Sequence, residues 1–249
     1  MKSQLVILAA GVGSRLNPLT IECPKTMVKV NSRPMIDYIL NAIDVNSFEE
    51  IIIAVGHKKE IIMQHLGTNY KSIPIRYVYN PMYKETNSIY SIWLLREFVK
   101  KDFIVINADT IFEHKVLDNI MNAQHAISVS VDDIVDSPLD DDAMKVTIKD
   151  NKIIDIRKTI TANKTMGDAI GIYRFKDEGI NHLFNEIDNC LKENVNDQLF
   201  THAVNNLTSQ TDIFSVSTGG YRWFEIDSIE DLKFAEEKLK KENIFREDC

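Results

Sequence analysis

Residues Gln4–Met27 read QLVILAAGVGSRLNPLTIECPKTM, an apolar run followed at once by a glycine-rich turn. A short continuous apolar run is typical of a strand that is buried on both faces of a sheet. The turn after it holds Gly11 and Gly13, and beyond them lie Arg15 and Lys25. Exposed backbone N–H groups at a glycine turn and two nearby cations favour a phosphate ligand. The stretch therefore predicts a buried strand that leads into a phosphate-binding loop.

Two common phosphate-binding loops do not fit this turn. A dinucleotide-binding turn requires a third glycine, where this chain has Leu16, and an acidic residue at the end of the next strand. Asp37 lies at about that distance, but within a predicted helix. A Walker A loop requires Gly-Lys-Ser/Thr, which the stretch lacks. The remaining interpretations are a triphosphate loop stiffened by Pro18 and Pro24, or a plain tight turn with solvated cations.

The order of the predicted elements indicates an α/β fold. Strand and helix patterns alternate through residues 1–125, which predicts a Rossmann-like mixed, mainly parallel sheet flanked by helices. Four strand patterns then follow one another over about 126–175, which predicts an antiparallel β insertion, with a hairpin turn at 150–151. Helical patterns return at 177–191, 197–207 and 228–241. We therefore expect one domain over 1–249, with a core and an inserted β lobe.

Composition and charge narrow the class of protein. The chain has 249 residues, 44% hydrophobic and 27% charged, which is ordinary for a soluble globular protein. A net charge of −8 argues against a nucleic-acid partner. The apolar runs are too short to span a membrane, and three scattered cysteines fit a reducing, cytoplasmic location. Homo-oligomer formation is left open.

The opening stretch LAAGVGSRLNPLT…CPKTMVKV closely resembles the signature of the sugar-phosphate nucleotidyltransferase superfamily, G-x-G-[ST]-R-x(n)-P-K. The resemblance implies that the first 125 residues bind the nucleotide and that the β lobe lies on the acceptor side. It also implies that Arg15 and Lys25 contact the triphosphate as catalytic residues. The loop residues that it assigns to the nucleotide are Leu8, Ala9, Ala10, Gly11, Gly13 and Ser14.

The resemblance further implies a Mg²⁺ site, with one or two ions, on Asp109 and Asp227. Asp109 ends the apolar strand of FIVINADTIF, at the edge where ligand sites open in parallel sheets. Mg²⁺ typically takes one or two carboxylates together with substrate phosphates. The alternative for each aspartate is helix capping, although Ser228 with Asp231 forms the better cap. Glu225 alternates onto the side of Asp227 and is a further ligand, orienting group or acceptor contact.

Later segments resemble the branch that acts on small non-sugar phosphates: choline-phosphate, glycerol-phosphate, 2-aminoethylphosphonate and phosphoglutamine cytidylyltransferases. That branch implies CTP as donor and products that feed capsule or cell-surface polysaccharide synthesis. It assigns Gly56 and the segment Thr86, Asn87 and Ser88 to the nucleotide. Lys145, in DDAMKV, is assigned to the acceptor phosphate, the alternative being an ordinary exposed lysine.

The sequence does not identify the acceptor. Six aspartates between 132 and 142 either attract a cationic head group or form a solvated loop. The predicted function is a Mg²⁺-dependent cytidylyltransferase that moves CMP from CTP to a small phosphate or phosphonate and releases pyrophosphate. The nearest rival function is a sugar-1-phosphate nucleotidyltransferase using UTP or dTTP. Two further classes compete with it: a non-catalytic nucleotide-binding protein and, more weakly, a dinucleotide-dependent oxidoreductase.

Overall fold

A computed structural model describes residues 2–100, 102–134, 139 and 141–242, and one large mixed sheet dominates that part of the chain. The strands are β1 (Ser3–Ala9), β2 (Lys29–Val30), β3 (Arg33–Pro34), β4 (Phe48–Val55), β5 (Asn69–Tyr70), β6 (Ile73–Tyr79), β7 (Asp102–Asn107), β8 (Thr110–Phe112), β9 (Ile127–Asp132), β10 (Lys145–Lys149), β11 (Lys152–Ile156), β12 (Gly167–Lys176), β13 (Phe214–Ser217) and β14 (Trp223–Glu225). The helices are α1 (Met35–Asn41), α2 (Lys59–Leu66), α3 (Ser88–Leu94), α4 (His114–Met121), α5 (Glu178–Lys192), α6 (Thr201–Leu207) and α7 (Ile229–Glu242).

The large sheet has the strand order β10-β11-β13-β9-β12-β7-β1-β4-β6-β5. Its central strands β7, β1, β4 and β6 are parallel, as the alternating pattern predicts. β12 lies antiparallel between β7 and β9, and β10 and β11 extend the same sheet beyond them. The predicted mixed α/β fold is confirmed. The strands of the predicted insertion continue the central sheet because β12 pairs directly with β7.

Helices cover both faces of the sheet, which explains the unbroken apolar run of β1. Val6 packs on one face with residues of α3, α5 and α6. Leu5 and Ile7 pack on the other face with residues of α1, α2 and α4. A strand buried on both sides needs apolar residues at every position rather than at alternate positions. Of the helices that the structure describes, none combines the length and the apolar character needed to cross a membrane.

The predicted hairpin turn and helix cap are both present in the structure, whereas one predicted helix start is not. Asp150 and Asn151 have φ of 52° and 62° and join β10 to β11, so the predicted hairpin turn is confirmed. Ser228 and Asp231 cap α7 reciprocally, with the Ser228 N–H donating to Asp231 Oδ2 over 2.8 Å. The predicted start of α6 at residue 197 is wrong. Residues 197 and 198 form a bend before the helix, and the carbonyl of Gln198 accepts a hydrogen bond from the Ile89 N–H near the start of α3.

A buried ion pair joins the parallel and antiparallel halves of the sheet. Arg174 on β12, 7% exposed, donates from Nε and Nη2 to the two carboxylate oxygens of Asp102 on β7, over 3.0 and 2.7 Å. Its Nη1 also donates to carbonyls at the end of α4, including that of Ala123 at 2.9 Å. The guanidinium therefore closes a helix end and cross-links two strands, and its removal leaves several acceptors unsatisfied.

We predict that Arg174→Leu lowers the free energy of unfolding by about 3–5 kcal/mol, because it leaves Asp102 as an uncompensated, largely buried charge. Urea unfolding followed by circular dichroism measures the change. The control is Arg157→Leu, which removes an exposed arginine paired with Asp155 and should cost less than about 1 kcal/mol. Equal losses in the two variants would contradict the assigned role of Arg174.

Candidate active site

The loop after β1 brings a lysine from a distant part of the same loop against the glycine turn. Gly13 has φ of 70°, a left-handed conformation that glycine adopts without strain. A Cβ on Gly13 would lie 2.8 Å from the Cβ of Lys25, so the missing side chain also makes room for that lysine. Thr20 Oγ1 donates to the carbonyl of Gly13 over 2.8 Å and closes the loop. Gly13 and Lys25 therefore form one local unit.

Two strand ends place the predicted carboxylates side by side. Asp109 lies in the turn between β7 and β8, at the carboxyl edge of the parallel strands. β14 pairs with β8, and the Ile226 N–H donates to the carbonyl of Asp109 over 3.0 Å. This pairing brings Asp227 next to Asp109. Asp231 satisfies the backbone N–H of Asp227, so the Asp227 carboxylate is left for the cleft.

The carboxylates and the loop cations form one charged cluster. Lys25 Nζ lies 2.6 Å from Asp109 Oδ2 and also contacts Asp227 Oδ1. Arg15 Nη2 lies 2.7 Å from Asp227 Oδ2, and Nη1 contacts Asp142. The four residues predicted to be catalytic, Arg15, Lys25, Asp109 and Asp227, thus meet at one point in the structure.

The cluster has altered proton affinities. Burial by itself would lower the pKa of the Lys25 ammonium, but the charges of Asp109 and Asp227 more than offset it, so the pKa is raised. Glu225 lies two residues before Asp227, open to solvent on one side and enclosed by protein on the others. The enclosure raises the pKa of Glu225 to about 8, and the nearby carboxylates, first Asp109 and then Asp227, add to the effect. Glu225 therefore holds a proton more readily than an ordinary glutamate does.

The donor set at this point suits a hard divalent cation. Asp109 Oδ1 is buried and has no hydrogen-bond partner in the part of the chain that the structure describes. Asp227 lies beside it, and carboxylate oxygens are preferred ligands of Mg²⁺. Within those described residues no cluster of three or more acidic, histidine or cysteine side chains forms a complete metal cage. The pair fits an ion that takes its remaining ligands from substrate.

Three adjoining cavities converge on the cluster. The inner cavity, about 160 Å³, lies over the end of β1 and reaches Asp109. The central cavity, about 130 Å³, shares Ser88, Asn107 and Asp109 with it. The outer cavity, about 670 Å³, shares Arg15 with the central one and opens toward α7. The three cavities therefore form one continuous cleft, which runs past the carboxylate pair.

Most of the predicted nucleotide contacts line the inner cavity. These residues are Leu8, Ala10, Gly11, Thr86, Asn87 and Ser88. Ala9 packs beneath the loop, and Ser14 opens a short 3-10 helix. Gly56 lines a neighbouring cavity instead, where a Cβ would lie 2.4 Å from the carbonyl oxygen of Ala10. Gly56 therefore permits the end of β4 to pack against the loop.

Of the two predicted acceptor residues, Glu225 lines the cleft, whereas Lys145 lines none of the three cavities described above. Glu225 is in the walls of the central and outer cavities. Lys145 is 6% exposed, and its Nζ donates to the carbonyl of Lys158 over 3.1 Å. The alternative of an ordinary exposed lysine is therefore wrong. Of the acidic run, Asp142 faces the cleft, whereas the positions of Asp136 and Asp140 lie outside the described residues.

Several cleft residues were not predicted from the sequence. Asn80 lines the inner cavity, with its amide fixed by Ser91 Oγ at 3.1 Å and by the Met82 N–H at 2.9 Å. Asn107 stands at the junction of two cavities, two residues before Asp109, and the alternation of β7 could have suggested it. Lys158 reaches the site through an ion pair with Asp142, for which the sequence holds no signal.

Comparison with known proteins gives a consistent result. Residues 4–137, more than half of the chain, match the family model described as nucleotidyl transferase. The chain is 31% identical over 226 residues to the bifunctional protein GlmU of Methanococcus maripaludis, a match that covers 89% of this chain and 50% of that protein. It thus spans about half the length of the first curated relatives that it matches.

A second relative matches end to end. The chain is 29% identical over 248 residues to the choline-phosphate cytidylyltransferase of Streptococcus pneumoniae, covering 96% of this chain and 99% of that protein. The structure of the CTP:phosphocholine cytidylyltransferase from Streptococcus pneumoniae superposes with a TM-score of 0.76 at 25% identity, over 96% of this chain and 100% of that one. The family match includes the glycine loop, both loop cations and Asp109, and we conclude that this chain belongs to the nucleotidyl transferase family.

Proposed function

We propose that this chain transfers CMP from CTP to a small phosphate or phosphonate acceptor and releases pyrophosphate. The observation that carries the proposal is the meeting of the inner and central cavities at Asp109, beside Lys25 and Asp227. A donor in one cavity and an acceptor in the other would place their phosphates next to the charged cluster. The end-to-end similarity to a choline-phosphate cytidylyltransferase supports CTP as the donor.

The inner cavity suits the nucleoside. Its walls are the end of β1, the glycine turn and short polar side chains, which allow a flat base to approach the backbone closely. The buried amide of Asn80 bonds to Ser91, Thr86 and the Met82 N–H, and so holds Thr86 in place in that wall. Rigid donors and acceptors reduce the ordering cost of binding and support discrimination between bases.

The two loop cations, Arg15 and Lys25, would bind the triphosphate. Lys25 and Arg15 lie where its phosphates would enter from the glycine turn, and both carry positive charge. An oxygen of the acceptor attacks the α-phosphorus, the bond to the bridging oxygen breaks, and that oxygen leaves with pyrophosphate. A phosphate dianion is already a nucleophile, so no general base is required. Positioning and charge neutralisation then supply the catalysis.

Asp109 and Asp227 would hold Mg²⁺, which neutralises charge on the reacting phosphates when it is bound. The unpartnered, buried Asp109 Oδ1 supports this assignment, because an isolated carboxylate oxygen inside a protein is costly without a cation or donor. Asp231 supports it indirectly, since it caps α7 and leaves the Asp227 carboxylate available.

The outer cavity favours an acceptor with a cationic group. Its walls carry the carboxylates of Asp141, Asp168 and Glu225 beside the rings of Trp223 and Phe234. Aromatic faces with nearby carboxylates are the surroundings that ammonium groups prefer. Phosphocholine and aminoalkyl phosphates or phosphonates match this lining, with the phosphorus end toward Arg15 and the cationic end toward the aromatic wall.

We predict CTP-dependent pyrophosphate release with phosphocholine or an aminoalkyl phosphate or phosphonate, at kcat/KM values at least about tenfold above those for glycerol phosphate or sugar 1-phosphates. A coupled pyrophosphate assay with CTP, UTP and dTTP, in Mg²⁺ and in EDTA, measures this. Faster pyrophosphate release from UTP or dTTP than from CTP with every acceptor would show that CTP is not the donor. A preference for sugar 1-phosphates would favour the sugar-nucleotide alternative.

We predict that Asp109→Asn and Asp227→Asn each lower kcat/KM on the order of 10²-fold or more, because each removes charge that the phosphate chemistry requires. Asp118→Asn is the matched control, since Asp118 forms only a loose pair with Lys115 on the surface of α4. Circular dichroism verifies folding in all three variants. Near-wild-type rates in both cleft variants would reject the assignment.

We predict that the two loop glycines respond differently to alanine. A Cβ on Gly11 meets no atom within 4 Å and points into open space, so Gly11→Ala should keep its stability but raise KM for CTP about tenfold by occupying the cavity. Gly13→Ala should lower stability by about 1–2 kcal/mol because of its left-handed φ. Thermal melts measure the effect on stability, and initial rates measure the effect on KM. An unchanged KM for CTP in Gly11→Ala would show that the donor does not bind in the inner cavity.

A further inference from the structure

The position of the Lys25 ammonium has a consequence for metal binding. Nζ lies 2.6 Å from Asp109 Oδ2 and also contacts Asp227 Oδ1, so one lysine bridges the two carboxylates proposed to hold Mg²⁺. The Lys25 side chain is only 15% exposed, so its charge is little screened by solvent. A cation therefore already lies between the two carboxylates that a metal would bridge, and it leaves Asp109 Oδ1 as the unpartnered oxygen of that aspartate among the described residues.

The charges of this cluster nearly cancel. Lys25 balances Asp109 and Asp227 from one side, and Arg15 reaches the other oxygen of Asp227 over 2.7 Å. Asp142, the second partner of Arg15, is also paired with Lys158 at 3.1 Å. A divalent cation that arrived alone and bridged both carboxylates would have to displace Lys25, which would leave its ammonium without a counter-ion in a partly buried site.

A triphosphate changes this balance because it carries its own negative charges. If phosphate oxygens take Lys25 and Arg15 as partners, Asp109 and Asp227 lose their counter-ions. The carboxylates are then free to accept a cation, and the phosphates supply the remaining oxygen ligands.

We propose that Lys25 is the built-in counter-ion of the Asp109–Asp227 pair, and that this pair accepts a divalent cation only as the nucleotide draws Lys25 away. The inference rests on the proposed function and adds an order to it: metal and nucleotide bind in a coupled manner, and the metal does not bind first. By linkage, each ligand then raises the affinity for the other by the same factor.

The test measures Mn²⁺ binding to the full chain in the absence of nucleotide. The electron paramagnetic resonance signal of free Mn²⁺ reports how much of the ion is bound. Wild-type protein should bind weakly. Lys25→Met should bind at least about tenfold more tightly, because it removes the competing positive charge next to two carboxylates. Lys25→Arg retains the charge and should remain as weak as wild type.

The matched control is Lys29→Met. Lys29 is exposed on β2, a few residues along the same segment, and its loss changes the net charge equally. It should leave Mn²⁺ affinity unchanged. In Lys25→Met combined with Asp109→Asn the gain should disappear, which ties it to the carboxylate pair rather than to general negative charge.

Thermal melts provide a second readout that does not depend on turnover. Mn²⁺ alone should raise the melting temperature of Lys25→Met and leave wild type unchanged. For wild type, Mn²⁺ with α,β-methylene-CTP should give a larger shift than the analogue in EDTA. Each variant is compared with its own metal-free melt, so a destabilised but folded Lys25→Met protein still gives a result.

Two outcomes would overturn the inference: Lys25→Met binding Mn²⁺ without nucleotide no more tightly than wild type, or Lys25→Arg gaining as much affinity as Lys25→Met. Both are measured with metal alone and do not depend on the identity of donor or acceptor. Failure of the proposed function would appear separately, as absence of a thermal shift with the CTP analogue and of CTP-dependent pyrophosphate release. The two failures are therefore distinguishable.

Discussion

Two ionised carboxylates that lie side by side in a partly buried cleft repel each other unless a cation lies between them or one of them takes up a proton, and in this cleft a lysine supplies the cation. Asp109 and Asp227 are brought together by the pairing of β8 with β14. The bridging cation comes from the opposite direction, on the loop after β1. The loop can deliver Lys25 because Gly13 leaves space beside it. Loop, strand ends and charge balance are thus parts of one electrostatic arrangement.

The central sheet makes this arrangement stable. Parallel strands β7 and β1 end at the same edge, so the glycine loop and Asp109 emerge as neighbours without a special connection. Helices on both faces bury the strands fully, and the Arg174–Asp102 pair ties the parallel strands to β12. β12 in turn places Asp168 and Tyr173 along the cleft. The antiparallel strands of the same sheet therefore contribute to the walls of the central and outer cavities.

Local features of the sequence identified the walls of the inner cavity better than those of the central and outer cavities. The inner cavity is built from contiguous segments, the β1 loop and residues 86–88, whose patterns are short and recognisable. The central cavity also draws on Asp142, Lys158 and Tyr173, which lie far apart in the chain. The end of β14 was predicted as a strand with Asp227 beyond it, but its pairing with β8 has no signature in the residues themselves. The prediction for the start of α6 is wrong for the same reason, because the bend before that helix forms hydrogen bonds to residues at the start of α3.

The sequence by itself determined the elements whose causes are local. A run of apolar residues predicts a doubly covered strand, Asp150-Asn151 predicts a hairpin turn, and Ser228 with Asp231 predicts a helix cap. Only the tertiary structure decided that Lys25 bridges Asp109 and Asp227, that Gly56 serves packing, and that Lys145 is buried. Such facts depend on the distances between segments remote in the chain. Those distances are set by strand order and packing in the whole sheet, and no short stretch of residues encodes them.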